Sequence, residues 1–343
     1  MALPLFSRSV FAGEREKLRL PAAGPAGGAA GAGEGTRRRI KMQANTKYYG
    51  RLMLAAGLAS VAVAAVLIAL KAAVWFVSGS HAVFASLTDS IFDALTSLVN
   101  LFALRYSLQP PDSEHRYGHY KSQTLSSLAQ AAFVGGSAVL LILSGVKRFN
   151  HPVALEHTGL ALAVSLLAML LTVFLVGFQT LVYRRTRSEA IGADRFHYLS
   201  DLTLNLGVLA ALILSEAGWP RADGLFAVLI GLYILRGAWI IGSRAADTLL
   251  DKSLKPEDLR KIRGAAVGVP GVLSVHDIKT HRVGPMVFIQ AHVVLPGGQS
   301  VLEAHRVINE VETRLAQLYP LSEITIHMEP DISQTYREVQ FKD

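Results

Sequence analysis

Six apolar stretches, at about 52–78, 82–107, 124–146, 157–182, 198–215 and 223–243, constrain this chain more than any other feature. Each is near or above the roughly 20 residues that a helix needs to cross a bilayer. The composition agrees, because 51% hydrophobic and only 17% charged residues is too greasy a balance for an ordinary soluble domain. The expectation is an α-helical membrane protein with six transmembrane helices embedded in a lipid bilayer.

Orientation follows from the short loops, since lysine and arginine accumulate on the cytoplasmic side. Arg37, Arg38, Arg39, Lys41, Lys47 and Arg51 precede the first stretch, Arg116 and Lys121 follow the second, and Arg184, Arg185, Arg187 and Arg195 follow the fourth. The opposite loops hold only Lys147, Arg148 and Arg221, which places both termini in the cytoplasm. Ahead of the first stretch, "PAAGPAGGAAGAGEG" from Pro21 to Gly35 is low-complexity sequence with nothing to build a core from, so disorder is expected there. The opening "ALPLF" is too short for the apolar part of a secretory signal. Met42 stands just before the first helix, so the first 41 residues read as a disposable tail or a misassigned start.

From about Pro256 the pattern turns to short soluble elements: a helix opening "KPEDLRKI", strands near 272–281 and 286–295, a helix near 299–317 and a strand near 322–328. In "VFIQAHVVL" the alternation sets Val287, Ile289, Ala291, Val293 and Leu295 on one face and Phe288, Gln290 and His292 on the other. One face makes a core and the other carries a histidine. The chain has no cysteine, which excludes disulfides, iron–sulfur clusters and thiolate metal sites, and leaves nitrogen and oxygen donors, with eleven histidines among them.

Asp89 and Asp93 stand four residues apart inside the second apolar stretch, so their side chains leave one helix face about one turn apart. His197 and Asp201 repeat that spacing in "DRFHYLSDLTLNLG", where the fifth helix is expected to begin. Facing each other, the two pairs offer one imidazole and three carboxylates, a set able to enclose a four-coordinate Zn²⁺. A charged aspartate at mid-membrane costs roughly 2.5–3.5 kcal/mol, so three unpaired ones cost about 8–10 kcal/mol. Zinc binding on the order of 10–16 kcal/mol offsets that, and protonation is the other remedy. The plainer reading is a polar network gluing helices together, or helix-end residues reaching headgroup water. In the loop "QPPDSEHRYGHYK" the prolines stop the helix, and Asp112, His115 and His119 recur at spacings of three and four, which suits a metal and equally suits a solvated loop.

These features resemble the cation diffusion facilitators, which export divalent metals in exchange for protons. The resemblance spans about 46–335 and rests on "SLTDSIFDALTSLVN", "RYSLQPPDSEHRYGHYK", "ADRFHYLSD", "RADGLFAVLIGLYIL", "HDIKTHRVGP" and "ITIHMEP"; it is nearest to the bacterial zinc and ferrous-iron efflux branch. It implies a transport site of Asp89, Asp93, His197 and Asp201, a loop site of Asp112, His115 and His119, and a cytoplasmic binuclear site of His276, His292, His305, His327 and Glu329. It also implies a homodimer whose helices are interlocked by Lys121 and Asp251, in the bacterial inner membrane. The domains become an extension over 1–46, a transport domain over 47–248, a metallochaperone-like αββαβ cytoplasmic dimerisation domain over 249–335 and a tail over 336–343.

Some positions depart from that pattern. Glu329 stands where the nearest relatives carry aspartate, Gln123 stands where many carry glutamate, Arg236 puts a charge late in the sixth helix, and no histidine-rich run separates the fourth and fifth helices. His305 shares a helical face with Val301, Ile308 and Val311, where a lone histidine is more often a core residue than a ligand. The donor set ranks Zn²⁺ first and Fe²⁺ second, with Cd²⁺ and Co²⁺ able to fit and manganese disfavoured by the imidazole. Protons are the expected counter-substrate, with His197 the switch near neutral pH. No nucleic-acid partner is expected. An intramembrane hydrolase would need HExxH or GxSxG, which the sequence lacks, and a membrane-anchored metal sensor would need no acids at mid-membrane.

Overall fold

The computed structural model describes residues 29–78, 81–151, 159–216, 219 and 221–331. It divides the chain into Met1–Ala44 and Asn45–Asp343. The helices are α1 (Ala29–Ser78), α2 (His81–Ser107), α3 (Lys121–Asn150), α4 (Gly159–Thr186), α5 (Glu189–Glu216) and α6 (Ala222–Leu249). α1 begins at Ala29, inside the stretch where disorder was expected, and residues 1–28 of that stretch and its flank lie outside the described residues. Alanine is the strongest helix former, and extending a helix already nucleated downstream needs no new nucleus.

Five of these helices contain segments long and apolar enough to cross a membrane: Tyr48–Val77, Ser86–Ser107, Lys121–Asn150, Ser165–Thr186 and Ala222–Leu249. α5 has the length but carries Asp194, Arg195, His197 and Asp201 in its first half. It starts at Glu189, nine residues ahead of the apolar stretch, with Ser188 capping it by accepting the Ile191 amide at 3.3 Å. Hydroxyls on these helices bond the carbonyl one turn back, as at Thr88, Thr96 and Thr180 within the spans and at Ser200 and Thr203 on α5, so they need no water.

α3 and α6 pack through small residues. A Cβ on Gly224 would meet the Phe149 amide nitrogen at 2.4 Å, and one on Gly145 would meet the Gly224 carbonyl at 2.9 Å. This is the close backbone approach by which helices associate without a hydrophobic driving force. Arg148 and Asp223 close the same end with a 2.9 Å ion pair.

After α6 come α7 (Pro256–Val267), β1 (Ser274–Val283), β2 (Met286–Leu295), α8 (Val301–Leu318) and β3 (Ser322–Pro330), an αββαβ domain. β1 and β2 pair antiparallel, and β3 pairs parallel to β2 after the α8 crossover. α8 opens with a capping box in which Ser300 and Glu303 satisfy each other's backbone amides. Val287, Ile289, Ala291, Val293 and Leu295 are buried against Ile262, Ile308, Val311 and Leu315, the core face that the alternation predicts. Phe288, on the opposite face, is buried too, because Tyr117 packs edge-on at 5.6 Å and His281 stacks at 4.6 Å.

Candidate metal centre

Three groups of imidazole and carboxylate side chains converge in the structure: Asp93, His197 and Asp201; Asp112, His115 and His119; and His276, His292 and Glu329. In each group the potential ligand atoms lie within 4.8 Å of one another.

The first group lies between α2 and α5. His197 is buried, with Nε2 at 3.1 Å from Asp93 Oδ1 and 3.8 Å from Asp201 Oδ2, while both carboxyls are half-buried. Asp89 lies outside this group and is exposed, one turn along α2 from Asp93. Helix periodicity sets each pair, but a clamp sets the pairs against each other. The Tyr198 hydroxyl lies 2.8 Å from Ser97 Oγ on α2 and donates to the Ser60 carbonyl on α1 at 3.4 Å. Tyr198 follows His197 and Ser97 stands four residues after Asp93, so this buried bond fixes the register of the two ligand-bearing faces.

A second support lies one turn before His197. Asp194 is fully buried, and its Oδ2 accepts from Ser60 Oγ at 2.6 Å and from Gln179 Nε2 at 2.7 Å. The polar start of α5 is thereby buried against α1 and α4. The motif "ADRFHYLSD" contains Asp194 and Tyr198, yet spacing alone singled out only His197 and Asp201 as ligands.

The second group sits in the loop between α2 and α3. Asp112 Oδ1 accepts from the Glu114 amide at 2.9 Å and the His115 amide at 2.6 Å, and Gly118, with φ +82°, turns the chain so that His119 returns to Asp112. His115 Nδ1 and His119 Nε2 then lie 3.4 and 3.3 Å from the two carboxyl oxygens. The His115 amide, with the Glu114 amide behind it, holds the Asp112 carboxyl below its ordinary range. The His119 side chain is buried against Tyr106, and neither ring nitrogen makes a hydrogen bond. A buried imidazole with unmet nitrogens beside a carboxylate is compatible with a metal ligand.

The third group comes from sheet register. His276 on β1 stands opposite His292 on β2, and His292 opposite His327 on β3, so three histidines form one row across the sheet. Glu329, two residues beyond His327, hydrogen-bonds His292 Nδ1 at 2.6 Å and lies 3.2 Å from His276 Nε2. His292 and His327 have ring centroids 4.9 Å apart. At a bulge between His276 and Lys279, Asp277 adopts φ +45° and reaches to 3.7 Å from His292 Nε2; the Lys279 ammonium holds its carboxyl below the usual range. His305 is exposed on the first turns of α8 and joins none of the three groups among the described residues. Val301 is exposed with it; the core face of α8 starts with half-buried Ala304 and Val307 and is fully buried at Ile308, Val311 and Leu315.

Lys121 at the start of α3 donates to Asp251, just past α6, at 2.9 Å, and His281 lies 3.8 Å from the same carboxyl. Between this pair, the loop and the sheet lies a cavity of about 410 Å³ lined in part by His115, Tyr117, Gln290 and Glu323. Gln123, which the sequence left without a role, donates to Ser107 Oγ at 2.8 Å and accepts from Ser188 Oγ at 2.6 Å, tying α2, α3 and the α5 cap together. Arg236 is exposed on α6, and nothing in the structure explains it.

The cation efflux transmembrane domain matches residues 57–250, and the cation efflux protein cytoplasmic domain matches residues 254–331. The cation-efflux pump FieF of Shigella flexneri serotype 5b (strain 8401) is 41% identical over 282 residues, covering 82% of this chain and 94% of that one. The FieF pump of Escherichia coli O1:K1 / APEC matches with the same identity and coverage. A solved structure of CzrB in its Zn form is 40% identical over 24% of this chain and 97% of its own, with a TM-score of 0.23. With a membrane part and a cytoplasmic part matched in chain order, and a relative of similar length covered almost throughout, the chain belongs to the cation efflux family, a family of membrane transporters rather than enzymes.

Proposed function

We propose that the protein exports divalent metal cations from the cytoplasm in exchange for protons, with Zn²⁺ the principal cargo and Fe²⁺, Cd²⁺ and Co²⁺ able to follow the same path. The observation that carries this reading is the convergence of Asp93, His197 and Asp201 between α2 and α5. One imidazole and carboxylate oxygens without sulfur suit a borderline metal such as zinc. Asp89, one turn outward on the same α2 face, is the fourth ligand, drawn in when the ion neutralises the like charges of the carboxylates.

The exchange follows from charge. With metal bound, three carboxylates and a neutral imidazole are largely compensated, but the empty carrier would return through lipid with unpaired negative charges, which is costly. Metal ligands must be deprotonated to bind, so protons entering from outside both displace the ion and neutralise the site for its return. In this reading α5 is a sixth span despite its polar first half, and both termini are cytoplasmic in the bacterial inner membrane. The unit at work is a homodimer, in which the Lys121–Asp251 pair interlocks the helices. Asp112, His115 and His119 receive metal from the cytoplasm, while His276, His292, His327 and Glu329, with His305 contributed from elsewhere in the dimer, bind metal at the dimer interface of 249–335. The domains are an N-terminal extension over 1–46, the transport domain over 47–248, its cytoplasmic partner over 249–335 and a tail over 336–343.

The test is zinc flux from proteoliposomes with an imposed pH gradient. Proton entry should accelerate zinc exit, and His197→Ala should flatten the dependence on the gradient. Flux indifferent to the gradient in the wild type would mean a uniporter.

A further inference from the structure

A cation stands on the face of α2 that carries the acids. Lys71, half-buried on α1, donates to the Ser86 carbonyl at 3.1 Å and to Ser90 Oγ at 2.7 Å. Ser90 is buried, follows Asp89 directly and precedes Asp93 by three residues; Ser86 and Ser90 are one turn apart, so the ammonium is moored beside the acid-bearing turns. Among the described residues it makes no ion pair within 4.0 Å with Asp89, Asp93 or Asp201, and the two serines take two of its three N–H donors. The mooring therefore leaves the carboxylate lone pairs open to a metal while keeping a fixed positive charge near them. A lysine is costly in an apolar span, and a bond to one serine would be made as well by a neutral donor.

We propose that Lys71 is a tethered counter-cation of the α2–α5 site, a positioning residue that sets how tightly the site holds its cargo. It supplies part of the charge that a dication supplies, which steadies the vacant site and weakens its grip on the ion enough for release. The inference rests on the reading of Asp89, Asp93, His197 and Asp201 as the transport site. It predicts a division between two substitutions. Lys71→Gln keeps an N–H donor for Ser86 and Ser90 but removes the charge; Lys71→Arg keeps the charge.

The experiment is zinc titration of the full-length protein in detergent by calorimetry, at fixed pH, paired with zinc flux in proteoliposomes and with Asp93→Ala as the control. Lys71→Gln should bind zinc at this site on the order of tenfold more tightly and release it more slowly, whereas Lys71→Arg should bind and transport like the wild type. Unchanged or weaker binding by Lys71→Gln would reduce Lys71 to a structural tie between α1 and α2. If Lys71→Gln does not fold, Lys71→Arg still decides, because tighter binding with the charge retained overturns the proposal. Asp93→Ala separates the two levels: if it keeps full zinc affinity, the site reading itself falls, and if it loses affinity while Lys71→Gln changes nothing, only this inference falls.

Discussion

The α2–α5 group and the histidine row of the sheet use the same ligand types in opposite surroundings. In the membrane, His197 is 4% exposed, and its ligand face is held by Tyr198, Ser97, Ser60 and Asp194. On the sheet, the side chains of His276, His292 and Glu329 are 50%, 35% and 32% exposed, and strand pairing alone brings them together. A vacant membrane site leaves carboxylates in low dielectric, where charge is expensive. A vacant sheet site leaves histidines that water satisfies. Under the proposed function, occupancy of the first arrangement would be coupled to a conformational cycle, whereas the second would bind metal without being driven to move. The proposed function uses that difference: it puts the crossing at α2 and α5 and gives the sheet an accessory role.

Three substitutions probe that contrast, from the largest expected effect to the smallest. Tyr198→Ala removes a fully buried ring and the α2–α5 clamp, and should destabilise the protein by about 3–5 kcal/mol, seen as a lower unfolding midpoint in detergent. Zinc binding in the membrane should weaken with it while the sheet site is unaffected; equal weakening at both would erase the distinction. Replacing His292 and His327 with alanine together should remove the sheet-bound zinc, counted as bound metal per full-length protomer, and loosen the dimer while leaving residual transport. Full zinc occupancy in that variant would remove the row from the metal sites.

The smallest effect concerns pH in the loop. The His115 and Glu114 amides depress the Asp112 carboxyl, so its contribution to the turn is complete above the ordinary value of 3.8 and is lost only as pH falls through its lower folded value. Amide exchange of His115 should therefore hardly vary in protection between pH 7 and pH 5. Loss of protection in that window would mean that Asp112 does not hold the loop.

Much of this was legible in the sequence because it obeys short periods. The apolar stretches located the helices, the i, i+4 spacing paired Asp89 with Asp93 and His197 with Asp201, and strand alternation found the core face of β2. What stayed hidden depends on partners distant in the chain. The fifth helix starts at Glu189, five residues before the Asp194 expected from the sequence, because its polar Asp194 is buried only through Gln179 and Ser60 on other helices. The row His276–His292–His327 needs a strand register that alternation does not set. A helical face placed His305 beside Val301, but nothing local told that this end of α8 is exposed. Lys71 did leave a signal, a lone lysine deep in "LIALKAAVWFV", and its meaning appears only with Ser86 and Ser90 beside it.

The central claim, that metal crosses the membrane through the α2–α5 site, is tested most directly by stopped-flow zinc uptake into proteoliposomes by Asp93→Ala, Asp201→Ala and the His292→Ala, His327→Ala double variant, side by side at equal dimer content. The account predicts loss of transport, at least about 100-fold, in each aspartate variant, because one ligand of four is gone and the site no longer closes around the ion. It predicts measurable uptake in the histidine double variant. Uptake near the wild-type rate in both aspartate variants would contradict the account and place the path elsewhere.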